Sequence, residues 1–167
     1  MPKEEKIKEV NLVPQESEDN NPQQALPEHF HETDRIDFRF LRGKKLYIHH
    51  TIYGADAATA GNYGVFWIAP FECVISEIRE VHQTIGTDAG AVELNIEKLT
   101  GTQALDAGVA TLSSPFSLKA TINTVQTGTL TATVANKQLS RGDRLAMDDN
   151  GTLTAVANVT VIIEITY

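Results

Sequence analysis

The sequence predicts an all-β protein: a single β-sandwich or jelly-roll domain preceded by an extended N-terminal arm. Three observations point there. Short segments alternating apolar with polar residues recur along residues 36–167, each bounded by Gly, Pro, Asn or Asp. Residues 84–167 hold 15 threonines against three in residues 1–83, with 13 charged side chains and no His, Cys or Trp. β-Branched residues suit a pleated, half-buried surface, so this enrichment favours strands. No segment of helix length carries a convincing apolar stripe, which argues against alternating β and α units.

Residues 1–35 form the first unit, an acidic arm. Four of the six prolines lie here (Pro2, Pro14, Pro22 and Pro27), and nine acids stand against four bases. So few apolar side chains cannot offset the entropy of ordering the segment on its own. Two readings remain: a flexible tail, or an arm that orders only on a neighbouring surface. In the second, Ile7, Val10, Leu12 and Val13 form a short apolar anchor, and Phe30 is a further candidate interface residue near the junction. Ile7, Val10 and Val13 are spaced for one face of a brief helix that Pro14 would end.

The body, residues 36–167, opens with Ile36, Phe38 and Phe40 alternating with Asp37 and Arg39. After Gly43, Leu46, Ile48, His50 and Ile52 share one face of a second strand. Residues 54–62 are a loop of small residues. Val65-Phe66-Trp67-Ile68 is a short apolar strand stopped by Pro70. Residues 73–83 form a strand with one polar face, and after the Gly86–Gly90 turn Val92, Leu94 and Ile96 face inward against Glu93, Asn95 and Glu97. Further strands are expected at 109–112, 116–119, 129–134 and 144–148. Asp149-Asn150-Gly151 is the strongest hairpin signal in the chain. Val159, Val161, Ile163, Ile165 and Tyr167 then make the buried face of a terminal strand. This gives eight to ten short strands around one core.

Composition excludes several function classes. A formal net charge of −8 leaves no clustered basic surface for coating nucleic acid. No apolar run reaches 18 residues, so no membrane-spanning helix is expected, and the N-terminus lacks a signal-peptide apolar region. Cys73 is the only cysteine, set among Phe71, Val74 and Ile75. It reads as a buried thiol in a protein made in a reducing cytoplasm.

Candidate chemistry is thin. His49 and His50 adjoin on a strand and point to opposite faces, so they cannot jointly bind one metal, and a site there would need His82, Asp56 or Glu80 brought near in space. His29 and His31 would share a face if extended, or simply lie in the junction between arm and body. No Gly-x-Ser-x-Gly, phosphate loop, His-Glu-x-x-His or Cys-x-x-Cys occurs, and the expectation is no enzyme, no cofactor and no metal. Arg141-Gly142-Asp143 is a literal adhesion tripeptide, yet a turn with Gly at positive φ and Asp capping the bend accounts for it. Asn150-Gly151-Thr152 and Asn158-Val159-Thr160 match the glycosylation acceptor pattern, which a chain without a secretory signal should not use. The loops 54–62 and 100–108 are the better binding candidates, because a rigid sandwich displays its loops.

Six stretches carry a resemblance. They are Val65-Phe66-Trp67-Ile68-Ala69, Glu80-Val81-His82-Gln83-Thr84, Gly86-Thr87-Asp88-Ala89-Gly90-Ala91-Val92, Lys98-Leu99-Thr100-Gly101-Thr102-Gln103, Thr124-Val125-Gln126-Thr127-Gly128-Thr129-Leu130 and Leu139-Ser140-Arg141-Gly142-Asp143-Arg144-Leu145-Ala146. With them, residues 64–167 resemble small virion proteins of tailed bacteriophages, described as capsid decoration (cement) or minor head proteins with a β-sandwich or jelly-roll body. The resemblance implies a structural virion protein, made in the host bacterial cytoplasm and bound to the capsid surface. Its partners would be the major capsid protein and itself, as a homotrimeric knob at threefold points, with no nucleic acid and no membrane. The arm would contact neighbouring subunits. A receptor- or glycan-binding module of a head or tail fibre is the alternative, with Tyr47, Tyr53, Tyr63 and Trp67 as sugar-facing aromatics.

Overall fold

A computed structural model of the protein describes residues 43–167. The arm, its candidate interface residues Ile7, Val10, Leu12, Val13 and Phe30, the His29/His31 pair and the strand expected at 36–40 lie outside the described residues.

Ten strands follow in order: β1 (Lys45–Ile52), β2 (Val65–Ile68), β3 (Cys73–Thr84), β4 (Val92–Leu99), β5 (Val109–Ala110), β6 (Phe116–Ser117), β7 (Gln126–Thr127), β8 (Gln138–Leu139), β9 (Arg144–Gly151) and β10 (Ala157–Thr166). Two 3-10 turns, Gly54–Ala58 and Ala60–Asn62, link β1 to β2, and one helical turn, α1 (Val134–Lys137), precedes β8. The strands build two antiparallel sheets. The first runs β1-β10-β3-β7, with β8 also paired to β3. The second runs β2-β9-β4-β5, with β6 also paired to β4. The all-β sandwich is as the alternation predicts.

Strand alternation sets the core. On β10, Val159, Val161, Ile163 and Ile165 point between the sheets and are fully buried. Their neighbours across the sheet are Ile52 and His82, His50 and Glu80, Ile48 and Ile78, then Leu46 and Ile75. From the second sheet Val92, Leu94, Ile96, Leu145 and Met147 face them. Each such buried aliphatic side chain contributes roughly 1.5–3 kcal/mol relative to leaving it in water.

Three expectations are corrected. Asp149-Asn150-Gly151 is no hairpin turn: β9 runs through it, pairing Leu94 with Asp149, Glu93 with Asn150 and Val92 with Gly151. The chain then crosses from the second sheet to the first, so β9 and β10 are not partners. Gly151 is needed for its φ of +90° and because a Cβ there would lie 1.8 Å from the Ala91 carbonyl oxygen. Residues 129–134 form only a bridge between Leu130 and Leu112, since the segment ends in α1 and Val134 is exposed. Glu97, expected to face solvent, is on the outer side of β4 but buried under the 100–108 loop.

Candidate functional site

The strongest side-chain constellation inside the sandwich is a buried ion pair that strand geometry alone would not favour. Glu80 and His82 lie on β3 two residues apart, hence on one face, and both are almost completely buried. His82 Nδ1 lies 3.0 Å from Glu80 Oε1, and Nε2 lies 3.2 Å from the Ala120 carbonyl oxygen. A carboxylate oxygen and a carbonyl oxygen both accept, so this setting favours the protonated ring. Its pKa is raised accordingly, chiefly by the hydrogen bond to Glu80. Gln126 Nε2 donates to Glu80 Oε2 at 2.6 Å and to the Ser117 carbonyl, and the Asn123 amide donates to the His82 carbonyl. The pair therefore pins residues 117–126 across the end of the sandwich. That segment exposes Ile122 and Val125 and, with Ile85, borders an open hollow of about 550 Å³.

A second network sits on the outer face of the first sheet. Glu164 accepts from Lys45 Nζ at 2.9 Å, from Tyr47 Oη at 2.8 Å and from Ser76 Oγ at 2.8 Å. Ser76 is the extra residue of a bulge in β3, where the register with β10 slips between Glu164 and Ile165. The Lys45, Ser76 and Tyr47 hydrogen bonds, in that order, hold the Glu164 carboxyl down at about 2. This cluster ties three strands together and leaves no group poised for proton transfer.

The outer face of the second sheet is acidic and carries the 100–108 loop. Glu97 accepts from the Asp106 and Gly108 amides, and Arg144 donates to the Gly101 and Gln103 carbonyls. Partial burial and the neighbouring Asp106 push the Asp148 carboxyl up to about 6. Among the described residues no group of three His, Cys, Asp or Glu is arranged to hold a metal ion.

The residues singled out in the sequence are dispersed. His49 is exposed beside Thr51, whereas His50 turns inward and stacks on Phe66 at 5.2 Å, where burial lowers its pKa. Cys73 is buried, which raises its thiol to about 11. Arg141-Gly142-Asp143 is a turn: Gly142 has φ +93° and donates to the Ala69 carbonyl, and Asp143 Oδ2 accepts from the Ser140 amide. The 54–62 loop is largely exposed and is anchored at Ala57, which is buried and whose carbonyl accepts from Tyr63 Oη at 2.9 Å. Of the four aromatics proposed to face a sugar, Tyr63 is buried and Trp67 packs against the core. Tyr47 (53% exposed) and Tyr53 (70% exposed) remain at the surface.

The arrangement of sheets has a counterpart among solved structures. The chain shares its fold with one from the "Capsid of Ralstonia phage GP4". The superposition has a TM-score of 0.58 at 12% sequence identity, and covers 75% of this chain and 85% of that one. At that identity the likeness is one of fold. No family model and no curated protein sequence matches the chain.

Proposed function

We propose that this protein is a non-enzymatic structural component of a bacteriophage virion. It binds the outer surface of the capsid as a homotrimeric decoration protein and stabilises the shell. The observation that carries the reading is the fold shared with a chain of a phage capsid over most of both chains. The chemistry of the body agrees with it. The described charged groups are largely engaged in holding strands and loops, and hydrogen bonds to Tyr63, Glu97 and Arg144 anchor the largely exposed 54–62 and 100–108 loops.

Residues 1–35 act as the fastener in this reading. A segment of low apolar content that orders on binding can cover a large surface, and three arms on one trimer multiply their effect through avidity. Ile7, Val10, Leu12, Val13 and Phe30 supply its apolar contacts. The exposed Tyr47 and Tyr53 keep a glycan-binding role in view as the second reading.

The test is cosedimentation with capsids that lack the protein, alongside light scattering for mass. Full-length protein should elute at about three times 18.3 kDa and saturate the shell at fixed stoichiometry, and deletion of residues 2–33 should strip it from the shell. Unchanged occupancy after the deletion would remove the arm from the account. Failure of the full chain to bind shells, with binding on a glycan array, would replace the capsid reading by the second one.

A further inference from the structure

Residues 119–125 cross the end of the sandwich between two firm points. Leu118 before them is fully buried, its amide donating to the Val92 carbonyl and its own carbonyl accepting from the Gly86 amide. Gln126 after them opens β7, opposite Glu80 on β3. Between those points no residue is buried: Ala120 is half-buried and the rest are exposed. No buried apolar side chain holds the segment down, so polar contacts must. Two of them go to His82. Its Nε2 lies 3.2 Å from the Ala120 carbonyl oxygen, and its backbone carbonyl accepts from the Asn123 amide at 2.9 Å. Lys119 Nζ adds a bond to the Gly90 carbonyl at 2.8 Å.

We propose that residues 119–125 form a flap whose hold on the body depends on the His82 proton: the doubly protonated ring fastens Ala120, and loss of one proton releases it. The ring stands between two acceptors, Glu80 Oε1 at Nδ1 and the Ala120 carbonyl at Nε2, and it is completely buried, so water cannot replace either partner. A neutral imidazole has a single N–H. The carboxylate is the stronger acceptor, so the remaining proton stays on Nδ1, and Nε2 then turns a lone pair toward the Ala120 oxygen. The strand cannot move to relieve that conflict, because β3 is fixed by its ladder with β10, where His82 faces Val159. The flap can, because it buries nothing, and its departure widens the hollow it borders with Thr84 and Ile85. Among the described residues the titratable groups around the pair leave this proton in control. Tyr63 acts on Glu80 from across the core, and burial pushes its phenol far up; β10 presents Val159 and Val161, and Lys119 is engaged with Gly90. The Glu80 hydrogen bond keeps the His82 proton in place above the ordinary value near 6.5, so the flap is held below the folded pKa and freed as pH rises through it.

Hydrogen exchange read by mass spectrometry on the full-length protein between about pH 6 and 9, corrected for the intrinsic pH dependence of amide exchange, tests this beside an NMR titration of His82. Protection of residues 121–125, the Asn123 amide above all, should fall about tenfold as His82 loses its proton, the loss of one hydrogen bond of ordinary strength. β3 and β10 should keep theirs. Glu80→Gln sets an amide N–H against Nδ1, so a neutral ring can keep its own N–H on Ala120, and in that variant the fall should disappear. If the variant does not fold, the wild-type series decides. Flat protection across the His82 titration, or a His82 that keeps its proton throughout the range, would overturn the proposal. So would a simultaneous loss of protection in β3 and β10, or a fall that persists unchanged in folded Glu80→Gln.

Discussion

Glu80→Gln isolates the buried pair, because it keeps the shape of the side chain and removes its charge. In the wild type, the Glu80 hydrogen bond raises the His82 pKa above its ordinary value near 6.5. A base whose folded pKa is raised contributes its stability in full below the unfolded pKa, and loses it as pH climbs through the folded value. In the variant the carboxylate is gone and burial remains, so the His82 pKa should fall below 6.5. The sign then reverses, and stability is lost as pH drops below about 6.5. Removing one member of a buried pair costs about 3–5 kcal/mol, and that deficit should be largest near pH 5.5. Each proton bound differently in the folded and unfolded states changes stability by about 1.4 kcal/mol per pH unit, so the deficit should narrow visibly by pH 8.5. Urea unfolding at pH 5.5, 7.0 and 8.5, with an NMR titration of His82, measures both quantities. A deficit equal at all three pH values, or an unchanged His82 titration, would refute the role of Glu80 in raising the His82 pKa.

Three further outcomes are expected. Lys45→Met removes the hydrogen bond that does most to depress the Glu164 pKa, so the Glu164 carboxyl should titrate above its present value of about 2. A depressed carboxyl stabilises above its unfolded value near 4.5 and loses that contribution as pH falls toward 2, so the acid-unfolding midpoint of the variant should move up in pH. Asp148→Asn should stabilise the protein at pH 7 by of order 1 kcal/mol after allowance for solvent screening, because the Asp148 carboxyl is pushed up to about 6 in the folded state. The gain should vanish below pH 4, and thermal melts at the two pH values check it. Gly151→Ala should cost at least about 2 kcal/mol, combining positive-φ strain with the clash on Ala91, whereas Gly90→Ala, whose Cβ would meet nothing within 4 Å, should be nearly neutral. Urea midpoints of the two variants compare them directly.

β3 shows where reading the sequence succeeds and where it stops. Its extent was legible from the alternation at 73–83, and the strand occupies Cys73–Thr84. Its facing was not. Period two counted from Cys73 and Ile75 places Glu77, Arg79 and Val81 inward. The bulge at Ser76 shifts the phase, and Ile78, Glu80 and His82 face the core instead. The buried ion pair was therefore invisible until β10 fixed the register. The misplaced hairpin at Asp149-Asn150-Gly151 has a related cause. Its residues carry turn chemistry, yet Asn150 Nδ2 bonds Glu93 Oε2 across to β4 and Gly151 fits against Ala91, so the ladder with β4 prevailed over the local preference.

Alternation and composition alone determined the all-β class, the long strands β1, β3, β4 and β10, and the shortage of reactive side chains. Those follow from local sterics and from how many apolar residues one face must bury, and both are written in consecutive residues. Only the tertiary structure decided which strands share a sheet, that Glu80, His82 and Glu164 are held out of water, and that the exposed 54–62 and 100–108 loops are anchored through Tyr63, Glu97 and Arg144. Each of those depends on a partner far along the chain: β10 for β3, Ala120 for His82, Lys45 for Glu164. A period of two says which face is buried; it does not say against what.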